Sequence, residues 1–214
     1  MSVSAVPSLG AALLREPPPA LIKCDFDLSG VRGLSARALE LHLGLYEAHV
    51  LETNRLYEQL AEFPHVHGLP PQERLQRDGL VRRISYEHNG ALLHEAFFES
   101  LGPGRGAPPA NGAFSESLDL SFGGLQPWQQ DVIEIGQTRG VGWVITCRSR
   151  SDKRLVNLWL DDHSRGFITG LEPVAVFDLW EHAYLLDFKP GQRADYLRVL
   201  MDNMDWDVVE SRCV

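Results

Sequence analysis

The chain is short of basic residues. Twenty Lys and Arg stand against 29 Asp and Glu, a formal net charge of −9 over 214 residues. That deficit argues against a nucleic-acid binder, which usually shows a basic face. Long hydrophobic runs are missing as well: none reaches the roughly 18 residues that suggest a membrane span. Cysteine is scarce. Cys24, Cys147 and Cys213 are odd in number and widely spaced. They offer neither a disulfide framework nor a cysteine zinc site, and they fit a reducing compartment, so a cytoplasmic location is expected. The N-terminus, MSVSAVPSLGAALLREPPPA, lacks a basic start and has only a short apolar patch. Residues 1–20 are therefore read as a flexible tail rather than a signal peptide. There are no internal repeats.

What is present is an ordinary globular composition, 44% hydrophobic and 23% charged, with enough chain for one domain or two small lobes. Helical spacing runs through LSARALELHLGLYEAHVLETNRLYEQLAEF (34–63), with Ser35 as its N-cap and Pro64 as its stop. A polar loop containing Pro70 and Pro71 follows, then a second helix over 86–101. GPGRGAPPANG (102–112) is dense in Gly and Pro and marks the boundary between two lobes, 21–103 and 112–214. Beyond it come two helical stretches, then strands over 141–148, 155–160 and 173–178, and a closing helix in DYLRVLMDNMDW. Helices first, then a small sheet with helices around it, is an α+β arrangement.

Three of the eight histidines stand in apolar settings: His42 in LELHLGL, His94 in ALLHEAFF and His182 in DLWEHAY. Taken singly, each reads more readily as a hydrogen-bonded core or surface histidine. Asp178 ends the apolar run PVAVF four residues before His182, and a carboxylate is costly to bury without a partner. Three imidazoles and one carboxylate, each on its own apolar element or strand end, form a donor set suited to Zn, Fe, Mn or Co.

DLWEHAY also resembles the D-x-W-E-H-A-Y signature of the iron/manganese superoxide dismutases at every fixed position. LSARALELHLG is similar to that family's first ligand helix, and GALLHEAFFESLGP to its second. SFGGLQPWQQDVIEIGQTRGVGWVITC is similar to the start of its C-terminal lobe. The resemblance runs from about residue 20 to 212. It implies a helical hairpin lobe followed by an α/β lobe with a three-stranded antiparallel sheet. One iron or manganese ion per chain would lie between them, held by His42, His94, Asp178 and His182. The implied substrate is superoxide and the implied assembly a homodimer. Glu181 would support the ligating histidine of the partner subunit, and Trp143, Trp180 and Tyr184 would wall the site.

The sequence departs from the family around this set. Tyr46 and Glu47 stand where the family has histidines, and Val50 where it has a gateway tyrosine. On an unbroken helix His49 lies about 20° from His42 around the axis and Val50 about 80° away. A one-residue shift after Gly44 would instead put His49 at the gateway; the unbroken helix is expected, with His49 near the mouth of the site. Leu185 replaces a second tyrosine that reaches across the dimer, and Ile145 and Phe98 stand where tryptophans are usual. Gly90 replaces the glutamine of the iron type. The loop LDDHSRG brings an Asp162–His163 pair that some members of the family carry; His163 is expected to tune the metal, and Tyr46 and His49 are expected beside it as the other catalytic groups. These changes leave a second possibility: a metal-binding relative with altered or lost dismutase activity.

Overall fold

The computed structural model describes residues 18–63, 69–104, 106–166 and 168–213. The first 17 residues of the expected tail and the stop at Pro64 lie outside the described residues.

Two long antiparallel helices open the chain. Helix α1 spans Ala36–Ala61, and the Ser35 hydroxyl accepts from the Ala38 N–H at its start. Helix α2 spans Pro71–Glu99. It begins 15 residues before the expected start at 86, and Pro70–Pro71 is its first turn rather than a loop. The reason is local. Pro71 fits the first helical position, where its missing N–H goes unneeded. The residues after it are good helix formers, but most of them face solvent, so no apolar period announces them. Only the second half of α2 is buried, through Ala91, Leu93, His94, Phe97 and Phe98.

Helices α3 (Ala113–Phe122) and α4 (Leu125–Gly136) follow. Gly123, at φ 81°, takes the left-handed conformation that ends α3. Strands β1 (Trp143–Ser149), β2 (Leu155–Leu160) and β3 (Leu171–Asp178) form one antiparallel sheet in the order β2–β1–β3. Between Thr146 and Cys147 the β1–β3 register slips, opposite Pro173 on the outer strand. Proline cannot donate to the ladder and is tolerated at such an edge irregularity. The short helix α5 (Glu181–Tyr184) leaves the end of β3.

The expected closing helix is two helices, α6 (Arg193–Asp202) and α7 (Trp206–Ser211). Asn203 breaks them apart because its side chain is used elsewhere. Its amide accepts from Arg32 N at 2.7 Å and donates to Arg32 O and Val199 O, both at 2.7 Å. Gly102 N donates to Asn203 O and Asp205 N to Ser100 O, so the break ties the C-terminal helices to the end of α2. The α+β class and the three-stranded antiparallel sheet stand as read from the sequence.

Candidate metal centre

Four side chains converge where the hairpin meets the sheet. His42 projects from α1 and His94 from α2, while Asp178 ends β3 and His182 lies one turn on in α5. Each element has a reason to deliver its residue. Trp143 opposite Asp178 closes the β1–β3 ladder, and Leu179 N–H donates to Gly142 O just beyond it. Asp178 Oδ1 accepts from Trp180 N at 2.8 Å, which turns the chain into α5 and leaves Oδ2 for the histidines.

All three imidazoles meet that one oxygen. Asp178 Oδ2 lies 3.0 Å from His42 Nε2, 3.2 Å from His182 Nε2 and 3.5 Å from His94 Nε2. The four donor atoms lie within 4.8 Å of one another. Asp178 and His94 are 0% exposed and His42 is 3% exposed.

The donor chemistry fits a cation. His94 Nδ1 donates to Gly90 O at 2.6 Å, so Nε2 of a neutral ring carries a lone pair. That atom is buried without a hydrogen-bond partner, and it faces a carboxylate oxygen. Two acceptors pointed at each other are unfavourable unless positive charge lies between them. Burial pushes the His94 and His42 imidazoles below their usual range, His94 strongly, so both favour the neutral, ligating form. Burial opposes ionisation of Asp178, but hydrogen bonds from His182 and His42 outweigh it and hold the carboxyl well below the usual range.

A ring of aromatic groups encloses these donors. His42 packs on Phe97 and Phe98, with centroids 5.1 and 4.8 Å away. Trp143 stands edge-on to His94 at 5.0 Å. Its indole N–H donates to His163 Nδ1 at 3.0 Å, which places the proton of a neutral His163 on Nε2. His163 is 2% exposed, and burial pushes its imidazole down to about 4. Trp180 stacks on it at 5.0 Å.

The remaining sequence-derived positions divide. His49 comes to the site: its ring lies 5.2 Å from His94 and 4.8 Å from His163. Helix α1 is unbroken, and Val50 is packed in the core. Tyr46 points elsewhere. Its hydroxyl accepts from Cys24 N and donates to Glu95 Oε2, and its ring meets Phe98, which in turn packs on His42. Tyr184 is buried and accepts from Arg193 Nε at 3.1 Å. Glu181, the first residue of α5, and Leu185, just after its end, are exposed. Ile145 and Phe98 fill the core where tryptophans had been the comparison.

A cavity of about 450 Å³ opens over the site, lined by His49, Arg83, Tyr86, Glu87, His163 and Trp180 among others. Sequence reasoning missed Arg83, Tyr86 and Glu87 as site residues: Arg83 falls before the helix expected over 86–101, and Tyr86 and Glu87 stand at its polar start. The signal that could have found one of them is spacing: Glu87, Gly90 and His94 lie three and four apart, on one face of α2.

Three histidines and one carboxylate gathered between a helical hairpin and an antiparallel sheet make a group that could hold one metal ion. Residues 110–212 match the family described as iron/manganese superoxide dismutases, C-terminal domain. The superoxide dismutase [Fe] of Cupriavidus metallidurans is 34% identical over 137 residues, 63% of this chain and 67% of that protein. The superoxide dismutase [Fe] of Aquifex aeolicus is 29% identical over 184 residues, 85% of each chain. Superoxide dismutase [Mn] 2 of Haloferax volcanii is 28% identical over 134 residues, 63% of this chain and 66% of its own. The matched region thus spans about two thirds of the first and third of these relatives. The chain belongs to the iron/manganese superoxide dismutase family.

Proposed function

We propose that this protein is a superoxide dismutase. It converts two superoxide ions and two protons into dioxygen and hydrogen peroxide at one iron or manganese ion per chain. His42, His94, Asp178 and His182 hold the ion, two from each lobe if the chain divides at 21–103 and 112–214. The observation that carries this reading is the convergence of three imidazole nitrogens on Asp178 Oδ2, with Asp178, His42 and His94 buried and His182 at the foot of the cavity. When bound, the metal supplies one-electron redox chemistry.

The chain's own residues do the rest. Asp178 is the one anionic ligand and offsets the metal charge. His163 holds a proton at Nε2, because Trp143 occupies its other nitrogen, and this places a neutral donor beside the centre. Trp180 and Tyr86 narrow the approach to small molecules. The substrate is an anion and the protein is acidic, so local cationic groups must favour its entry. We take the working form to be a cytoplasmic homodimer, with Glu181 at its interface. Among the described residues no helix is long and apolar enough to cross a membrane.

The replaced gateway favours a second reading, a metal-binding relative with altered or lost dismutase activity: Val50 is buried and His49 stands at the mouth. One experiment separates the two. Protein reconstituted separately with iron and with manganese, at known occupancy, is assayed for superoxide decay. Fast decay with either metal is expected. Negligible decay at full occupancy with both would reject the dismutase and leave the metal-binding relative.

A further inference from the structure

His49 does not stand at the mouth unaided. Its Nδ1 donates to Glu87 Oε2 at 2.7 Å, and Glu87 is a carboxylate only 3% exposed. Arg83 reaches the other oxygen, Oε1, as an ion pair outside hydrogen-bond alignment. One buried carboxylate therefore holds both an imidazole and a guanidinium at the rim of the same cavity. Arg83 is in turn laid over the Tyr86 ring, 5.3 Å from its centroid.

Space at this point is as restricted as charge. A Cβ placed on Gly90 would lie 2.7 Å from His49 Nδ1 and 2.9 Å from its Cε1. The ring can reach Glu87 only because residue 90 has no side chain. Gly90 is one turn before His94, whose Nδ1 it also receives through its carbonyl. The same helical face thus sets the orientation of a metal ligand and of the imidazole above it.

We propose that Glu87 is a positioning residue: it fixes the His49 ring, in the space Gly90 leaves, so that Nε2 is the polar atom a small anion meets before the metal centre. The inference rests on the dismutase reading for its substrate, but not for its geometry. With Nδ1 committed to Glu87, the ring has one free nitrogen, and a flipped ring would lose the buried pairing. The flip would leave the buried Glu87 Oε2 without its hydrogen bond, while Arg83 stays on Oε1, and an unsatisfied buried acceptor is costly, so the rotamer is held firmly. Outer residues of this kind, acting through a neighbour, typically change activity or metal affinity by about 10–100-fold when removed.

Three variants test this: Glu87→Ala, Glu87→Gln and Gly90→Ala. Alanine is the better helix former at position 90, so that variant keeps its fold while displacing the ring. Two readouts are independent of turnover. Imidazole ¹⁵N chemical shifts of the metal-free protein report which His49 nitrogen carries the proton. Titration of the iron- or manganese-loaded protein with azide, a small linear anion, reports access to the centre through its optical spectrum. Glu87→Ala and Gly90→Ala are expected to alter the His49 shifts and change azide affinity about tenfold at unchanged metal content. Glu87→Gln, which keeps an acceptor, is expected to return the His49 shifts toward those of the native protein and azide affinity to within about threefold of it. Unaltered His49 shifts and azide affinity in both alanine variants would overturn the proposal, even if the protein dismutes superoxide rapidly. The expected pattern in a protein that shows no superoxide turnover would uphold the positioning role and reject the dismutase.

Discussion

Removing the Asp178 carboxylate would leave three imidazoles converging with no anion among them. A divalent or trivalent ion would then sit in a buried pocket with its charge uncompensated. Asp178→Ala is therefore expected to abolish metal binding while His42, His94 and His182 remain. Metal content per chain after purification in excess iron or manganese checks it, and one tightly held metal per chain would refute the ligand assignment. Thiols make a second prediction at this scale. Burial pushes the Cys147 thiol up to about 12 and the Cys213 thiol up to about 11. Reaction needs the thiolate and access, and both residues are at most 4% exposed. At pH 8 a thiol reagent should label Cys24 first in the folded protein and all three residues only after denaturation. Rapid labelling of Cys147 in the native state would contradict the placement of β1.

At the scale of elements, legibility followed burial. Strand β2 occupies the stretch that its apolar run marked, and the buried half of α2 was plain because Ala91, Leu93, Phe97 and Phe98 repeat at helical spacing. The exposed half of α2 was invisible for the same reason: nothing there packs. The four candidate donors that the structure brings together were readable because polar residues inside apolar runs stand out. Glu87 was not, because a glutamate among arginines looks solvated until α1 covers it. The break at Asn203 was hidden too, since its three side-chain bonds reach Arg32, 171 residues away, as well as Val199. Asn203 is 4% exposed. Asn203→Ala would strand the Arg32 backbone groups and should cost about 2 to 3 kcal/mol. Urea unfolding measures this directly, and a change below about 0.5 kcal/mol would mean that the N-terminal segment is not held by this residue.

Across the whole molecule, the candidate metal centre is a joint. Helices α1 and α2 carry His42 and His94, while the end of β3 and helix α5 carry Asp178 and His182, and Asp178 Oδ2 lies within 3.5 Å of all three histidines. Any ion bound to all four donors binds only the folded arrangement, since unfolding separates residues 42 and 182 along the chain. Linkage then requires stabilisation that grows with free metal, about 2.7 kcal/mol at a hundredfold excess over the dissociation constant. For a chain of this size about 1 kcal/mol moves the melting temperature by roughly 2–4 °C. Removing the metal with a chelator should therefore lower the midpoint by roughly 5–10 °C relative to protein held at that excess. Adding iron or manganese back should restore it, while magnesium, which prefers oxygen ligands, should not. Asp178→Ala supplies the control: its midpoint should no longer respond to either metal. A midpoint indifferent to metal in the native chain would mean that the hairpin and the sheet are joined by their apolar contacts alone, and that the four donors do not close on one ion.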